Sequence, residues 1–312
     1  MRRFLTVSTL LVAGGPLLAP GAGQPYAAPA APPALTGPAA LPARYAAVRT
    51  AVRTAAATAD RVHDTGRARA FRALAAPGRT LLSFDPRGSG RAVEVIGDLA
   101  AASRVAVVVP GADGRLTNFD DAKWAGGGAR AVAAEARAQA PGTRLAVVAW
   151  LGYASPSTTS LAVATTGRAD GGARALRALI TDLHRADPRA RVALLCHSYG
   201  SVVCGRAVTS GLPVDEIALY GSPGTTQDTS AGVRTAAHVW AGRARGDWMR
   251  YVPKVRLAGL GFGRDPVSPA FGARVFDAGT GAHGAYLLPG TTSLRNITRI
   301  ALALEDQVTR HA

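Results

Sequence analysis

The chain has 312 residues and a mass of 31.8 kDa, and 48% of its residues are apolar, which suits one large α/β domain or two small ones. Its net charge of +16 raises nucleic acid as a partner, but no block of like charge and no interleaving of aromatics with arginine is present, so nucleic-acid binding is not expected. Apart from Lys123 and Lys254 the basic residues are arginines scattered through an Ala-, Gly- and Pro-rich chain, and the charge allows at most a weak association with an anionic envelope surface.

At the N-terminus, Met1-Arg2-Arg3 is followed by an apolar run from Phe4 to Ala19 and by small residues in Gly21-Ala22-Gly23. A charged start, a short apolar stretch and a small-residue exit predict an export signal over residues 1–23, and hence a secreted or envelope-associated protein. Residues 24–43 are rich in Pro and Ala without periodicity and are read as a disordered linker, leaving residues 44–312 as the folded domain.

From Leu41 to about Ala75 the apolar spacing is helical, with a break around His63 to Gly66. Arg79 to Asp85 and Arg91 to Gly97 read as a β-hairpin around Pro86-Arg87-Gly88-Ser89-Gly90. Next come continuous branched-apolar runs at Arg104, Arg144, Arg191, Glu216 and His238, with a shorter candidate at Arg274. Helical stretches separate them at Gly127–Ala140, Gly171–Ala186 and Tyr199–Ser210, and a last one follows at Leu294–Thr309. Strands that do not alternate with polar residues are buried on both faces, so the pattern predicts a mostly parallel sheet flanked by helices, preceded by a helical segment and a hairpin.

In such sheets reactive groups gather at the C-terminal ends of the strands. The run RVALLC ends in His197-Ser198-Tyr199-Gly200, where a helix begins at once. A serine on a tight strand-to-helix turn has its hydroxyl pushed out above the sheet, as in the nucleophile elbow G-x-S-x-G of the α/β-hydrolase fold; here Cys196 holds the first glycine position. Serine needs a base, and the base an orienting carboxylate, in the chain order Ser, acid, His. His238 opens a strand and so lies at the wrong end of the sheet, and His311 is penultimate. His283, in a Gly-rich loop, is the candidate base, and Asp247 the candidate acid, with Asp265 second and Asp228 and Asp277 weaker. The oxyanion hole is expected from the backbone N–H groups of Tyr199 and Ala112. Trp124, Tyr153 and Tyr199 are candidates for the wall of an acyl pocket, with Trp150 better suited to the core.

The two cysteines flank the serine. Cys196 lies about 6.6 Å back along the strand and Cys204 about 9 Å along the helix, so the thiols can meet across the strand–helix contact. A disulfide there and a pair of inert buried thiols both remain open. No metal-ligand spacing accompanies them, and neither a metal nor a cofactor is expected.

The segments VVVPGADG, AVVAWLGYASP, HSYGS, RDPVSPAFGAR and AHGAYLLPGTTSLRNI, in this order, resemble an actinobacterial α/β-hydrolase family long labelled a domain of unknown function. The resemblance covers roughly residues 79–300 and implies a serine-hydrolase triad at Ser198, Asp247 and His283; the family usually has glycine where this chain has Cys196. The expectation is an exported serine hydrolase acting on a small-molecule or lipid carboxylic ester. Two alternatives stay open: acyl transfer to an envelope hydroxyl, and a catalytically silent fold that binds an anionic envelope polymer.

Overall fold

A computed structural model describes residues 24–310. The expected export signal and His311 lie outside those residues.

The folded region opens with α1 (Leu41–Arg61) and α2 (Thr65–Leu74). They break at His63, whose backbone turns left-handed with φ of 56°, and α2 restarts on Asp64, whose side chain accepts the N–H of Arg67 at 3.0 Å. β1 (Thr80–Asp85) and β2 (Arg91–Ile96) form an antiparallel hairpin. β3 (Arg104–Val109), α3 (Ala125–Gln139), β4 (Leu145–Leu151), α4 (Gly167–Ala186), β5 (Arg191–His197), α5 (Gly200–Val208), β6 (Glu216–Tyr220) and β7 (His238–Gly242) then alternate. A small hairpin, β8 (Arg256–Leu257) with β9 (Leu260–Gly261), stands apart from the main sheet. β10 (Arg274–Val275) and α6 (Thr292–Ala301) complete the elements.

The main sheet has eight strands in the order β1-β2-β4-β3-β5-β6-β7-β10. β2 runs against both its neighbours, and every pair from β4 to β10 is parallel. Successive residues of β3 serve opposite layers: Val105, Val107 and Val109 pack with α4 and α5, while Ala106 and Val108 pack with α3 and α6. Both faces are therefore dry, which is why these strands read as unbroken apolar runs. This is the α/β-hydrolase arrangement, and it carries the C-terminal ends of β3, β5, β6 and β7 to one edge of the molecule.

Two expectations differ from the structure. Residues 24–43 do not hang free: Tyr26 and Leu35 are buried, and α1 already begins at Leu41. The Tyr26 ring meets Phe71 edge-on at 5.7 Å, and Leu35 packs in one core cluster with Leu41 and Leu82. Two apolar anchors suffice to seat a Pro- and Ala-rich segment whose composition alone suggests a tether. The last helix is also shorter than expected. Ala303 takes a left-handed φ of 53°, so the chain reverses after α6 and returns Arg310 to a bridge with Phe276.

Candidate active site

Ser198 sits between β5 and α5 with φ of 50°. A left-handed backbone is costly for any residue but glycine, by about 1–3 kcal/mol, and persists only where the surroundings impose it. Here they do. The Ser198 N–H donates to the carbonyl of Tyr220 on the neighbouring strand at 3.0 Å. A Cβ on Gly200 would lie 2.6 Å from the carbonyl oxygen of Val109, and one on Gly111 would lie 2.7 Å from the Ser198 Cβ. Glycine at both places lets the strand, the turn and the β3 loop close on the serine. Cys196 does not loosen this bend. Its sulfur is bonded to that of Cys204, with the two Cα atoms 6.5 Å apart, which ties β5 to the returning α5 on either side of Ser198.

His283 comes from the loop between β10 and α6. Its Nε2 lies 2.9 Å from Ser198 Oγ and its Nδ1 2.8 Å from Asp247 Oδ1. The imidazole N–H at Nδ1 donates to the carboxylate, which leaves Nε2 free to accept from the serine hydroxyl. Asp247 follows β7 and is fully buried. Its Oδ1 also accepts the N–H of Met249 at 2.8 Å, and its Oδ2 accepts the hydroxyl of Tyr286 at 2.6 Å. Burial alone would raise the pKa of this carboxyl, but the bonds from His283, Tyr286 and Met249 outweigh it and hold the group below the usual carboxylate range. Tyr286 is itself fixed, because its oxygen accepts the N–H of Ala244 at 3.0 Å.

The other candidate acids lie elsewhere. Asp265 is ion-paired to Arg243, Asp277 caps a turn through the N–H of Gly279 at 2.8 Å, and Asp228 has its carboxylate beside Gly263. His238 is at the opposite end of the sheet, bonded to Glu216 at 3.1 Å and Glu305 at 2.6 Å.

Above the triad the loop after β3 is held by its carbonyls. Tyr153 donates its hydroxyl to the oxygens of Pro110 and Gly111, at 3.0 and 2.9 Å, and Ser155 donates to Gly111 at 2.6 Å. A trans peptide points its C=O and N–H in opposite directions, so anchoring the Gly111 carbonyl aims the Ala112 N–H away from Tyr153. Among the described residues neither the Ala112 nor the Tyr199 N–H donates to a backbone or side-chain acceptor, and both residues line the cavity that holds Ser198.

That cavity measures about 620 Å³. Trp124 and Tyr199 line it and Trp150 lies in the core, as expected, whereas Tyr153 does not line it: it is buried, stacked on Trp150 at 5.6 Å, and braces the loop instead. Two segments that sequence reasoning passes over supply much of the wall. Val163 and Ala164 come from the first, and Trp248, Met249, Val252 and Phe262 from the second.

His197 and Tyr286 also escape a reading of the sequence, although each lies close to a predicted residue along the chain. His197 is half-buried against the base at the cavity wall, with ring centroids 4.7 Å apart, and its Nε2–H donates to the backbone carbonyl of His283 at 2.8 Å. Burial, with the imidazole of His283 beside it, pushes its pKa down to about 3, so it stays neutral and keeps the His283 backbone in place.

Residues 85–257, more than half of the chain, match the family described as Alpha/beta hydrolase; the match includes Ser198 and Asp247 and stops before His283. The uncharacterized protein Rv2079 of Mycobacterium tuberculosis is 30% identical over 260 residues, covering 71% of this chain and 39% of its own. Rv0963c of the same organism is 33% identical over 183 residues, covering 52% of this chain and 66% of its own. The chain thus spans about two fifths of the first of these relatives and just under two thirds of the second. Among solved structures, an α/β serine hydrolase of Xanthomonas campestris described as lacking a lid is 16% identical with a TM-score of 0.45, over 74% of this chain and 96% of its own. Esterase LipW of Mycobacterium marinum is 17% identical with a TM-score of 0.46, over 82% and 90%. By its sheet order, its matched residues and its mycobacterial relatives, the chain belongs to an actinobacterial alpha/beta hydrolase family.

Proposed function

We propose that the protein is an exported serine hydrolase that cleaves a carboxylic ester through an acyl-enzyme. The observation that carries this reading is the continuous hydrogen-bonded chain from Ser198 Oγ through His283 to buried Asp247, opening into a mostly apolar cavity. Ser198 Oγ attacks the ester carbonyl while His283 Nε2 takes its proton. The tetrahedral oxyanion accepts the N–H groups of Ala112 and Tyr199. Collapse breaks the bond to the leaving alkoxide, which takes the proton from His283 and departs as alcohol. Water, deprotonated by the same imidazole, then attacks the acyl carbon; acid is released and Ser198 recovers its proton. Asp247 remains ionised throughout and stabilises the imidazolium. Export is supported by the N-terminal pattern and by a disulfide of a kind that persists in oxidising compartments.

Labelling with a fluorophosphonate, followed by mapping of the modified peptide, tests the reading. The expected adduct is on Ser198, absent from Ser198→Ala, with ester turnover down by about 10⁴-fold or more in both Ser198→Ala and Asp247→Asn. A folded wild-type protein that takes no label, or takes it elsewhere, ends the proposal. A competing alcohol in the assay separates the acceptors: ester product in excess of acid identifies transfer to a hydroxyl in place of hydrolysis.

A further inference from the structure

The two wall segments have an outer side as well as an inner one. Among the described residues eight large apolar side chains are exposed, and six of them, Leu161, Trp248, Tyr251, Val255, Leu257 and Leu260, belong to residues 157–165 or 248–262. The remaining two are Val62 and Leu288. The same two segments put Thr158, Val163, Met249, Val252 and Phe262 into the cavity wall. Trp248 belongs to both sides: it is half exposed, it lines the cavity, and its ring lies 4.8 Å from that of His283. The exposed apolar surface is thus continuous with the mouth of the site. It includes the β8–β9 hairpin, whose Ala258-Gly259 turn has φ of 48° and 83°, a tight two-residue turn that holds Leu257 opposite Leu260.

The charge carried by the two segments themselves has one sign, while Asp113 from the β3 loop, at the cavity wall, accepts from the N–H and hydroxyl of Thr158 at 3.1 and 2.7 Å. Residues 248–262 carry Arg250, Lys254 and Arg256 and no Asp or Glu, and residues 157–165 carry no charge. Arg250, Lys254 and Arg256 donate to backbone carbonyls of Arg245, Ser222 and Thr226, so none of the three is neutralised by a carboxylate among the described residues. Apolar side chains left in water at the rim of a cavity mark an interaction site, and a mixture of leucine, aromatic and arginine without acids complements a surface that is apolar within and anionic outside. No helix among the described residues is long and apolar enough to cross a membrane.

We propose that residues 157–165 and 248–262 form a docking face for an anionic lipid surface, and that the ester reaches Ser198 from that surface. The second part rests on the hydrolase reading; the docking does not. The test is co-sedimentation with vesicles of phosphatidylglycerol or of phosphatidylcholine, run beside hydrolysis of a water-soluble butyrate ester. Wild type pellets with phosphatidylglycerol and much less with phosphatidylcholine. Leu257→Ser/Leu260→Ser, changed at solvent-exposed positions, loses about tenfold or more of its vesicle partition yet hydrolyses the soluble ester at the wild-type rate, which also shows that it is folded. Arg250→Gln/Arg256→Gln loses the preference for the anionic vesicle. Docking is overturned if wild type stays in the supernatant with phosphatidylglycerol, the result expected of a protein-binding face, or if the double leucine variant sediments like wild type. Vesicle binding by a wild type that cannot turn over the soluble ester sinks the hydrolase reading and leaves the docking face standing.

Discussion

His197 shows how a residue outside the Ser198–His283–Asp247 chain of hydrogen bonds can hold one within it. It donates to the backbone carbonyl of His283, and its ring lies tilted against that of His283 with centroids 4.7 Å apart. Its folded pKa is about 3 against an ordinary 6.5, so between these values the unfolded chain binds a proton that the folded one refuses. Stability must therefore fall as pH drops below about 6.5, by up to about 1.4 kcal/mol per pH unit, and the loss stops near the folded value. Asp247 acts in the same direction at lower pH, since its carboxyl is depressed and its contribution disappears only as pH falls through that depressed value. Between pH 6.5 and 4.5 the slope is thus chiefly that of His197, and His197→Phe, which keeps an aromatic ring, should flatten it. Urea melts across that window check this; parallel slopes for variant and wild type would show that burial of His197 does not govern acid sensitivity.

At the scale of elements the elbow is held from three directions: by the β6 carbonyl that receives the Ser198 N–H, by the close approach of Gly111 and Gly200, and by the Cys196–Cys204 bond. The disulfide spans only eight residues of sequence, so the chain-entropy gain is modest, about 2.5 kcal/mol. Cys196→Ser/Cys204→Ser should unfold at lower denaturant by about that amount and still take the serine-directed label, because the other two restraints remain. Thiol titration of the unfolded, unreduced wild type should find no free thiol; finding two would remove the bond from the account. Much of this element was legible in the sequence, since a buried strand, a Ser-x-Gly turn and a small-residue helix are local signals. The order Ser, acid, His likewise placed the candidate acid and base in loops after β7 and β10. Tyr286, His197 and the outer wall were not legible, because their roles depend on which distant backbone or carboxylate each one meets. Tyr286 reaches Asp247 across 39 positions, and His197 reaches the His283 carbonyl across 86. Tyr153 illustrates the same limit: an aromatic near a strand end reads as pocket wall, and only the fold reveals that its hydroxyl holds the Gly111 carbonyl.

Across the whole molecule, the N-terminal segment and the rim divide the surface between stability and access. Tyr26 and Leu35 bury a ring and an aliphatic chain from a stretch that composition alone assigns to a linker. A protein beginning at Gln24 should match the longer chain in stability, whereas one beginning at Ala43 should lose several kcal/mol, about 1.5–3 for each large side chain no longer buried. Equal melting curves for the two shortened proteins would mean that the anchors contribute nothing in solution. The edge at the C-terminal ends of the parallel strands carries the cavity, with the loops after β3, β5, β7 and β10 meeting around Ser198. Parallel strands bring loops far apart in sequence to one edge, and this is why a site drawn from Ala112, Ser198, Asp247 and His283 assembles at all.

The left-handed backbone at Ser198 also restricts which atoms evolution or design can place there. Threonine would keep a hydroxyl, but its second Cβ branch does not fit a positive φ, least of all where a Cβ on Gly111 would already lie 2.7 Å from that of Ser198. Sulfur in place of oxygen is the unbranched exchange the bend can accept. On the proposed hydrolase reading, the Ser198→Cys protein would carry an acyl group as a thioester, a species that amines intercept readily, so this turn would leave open a path toward forging amides.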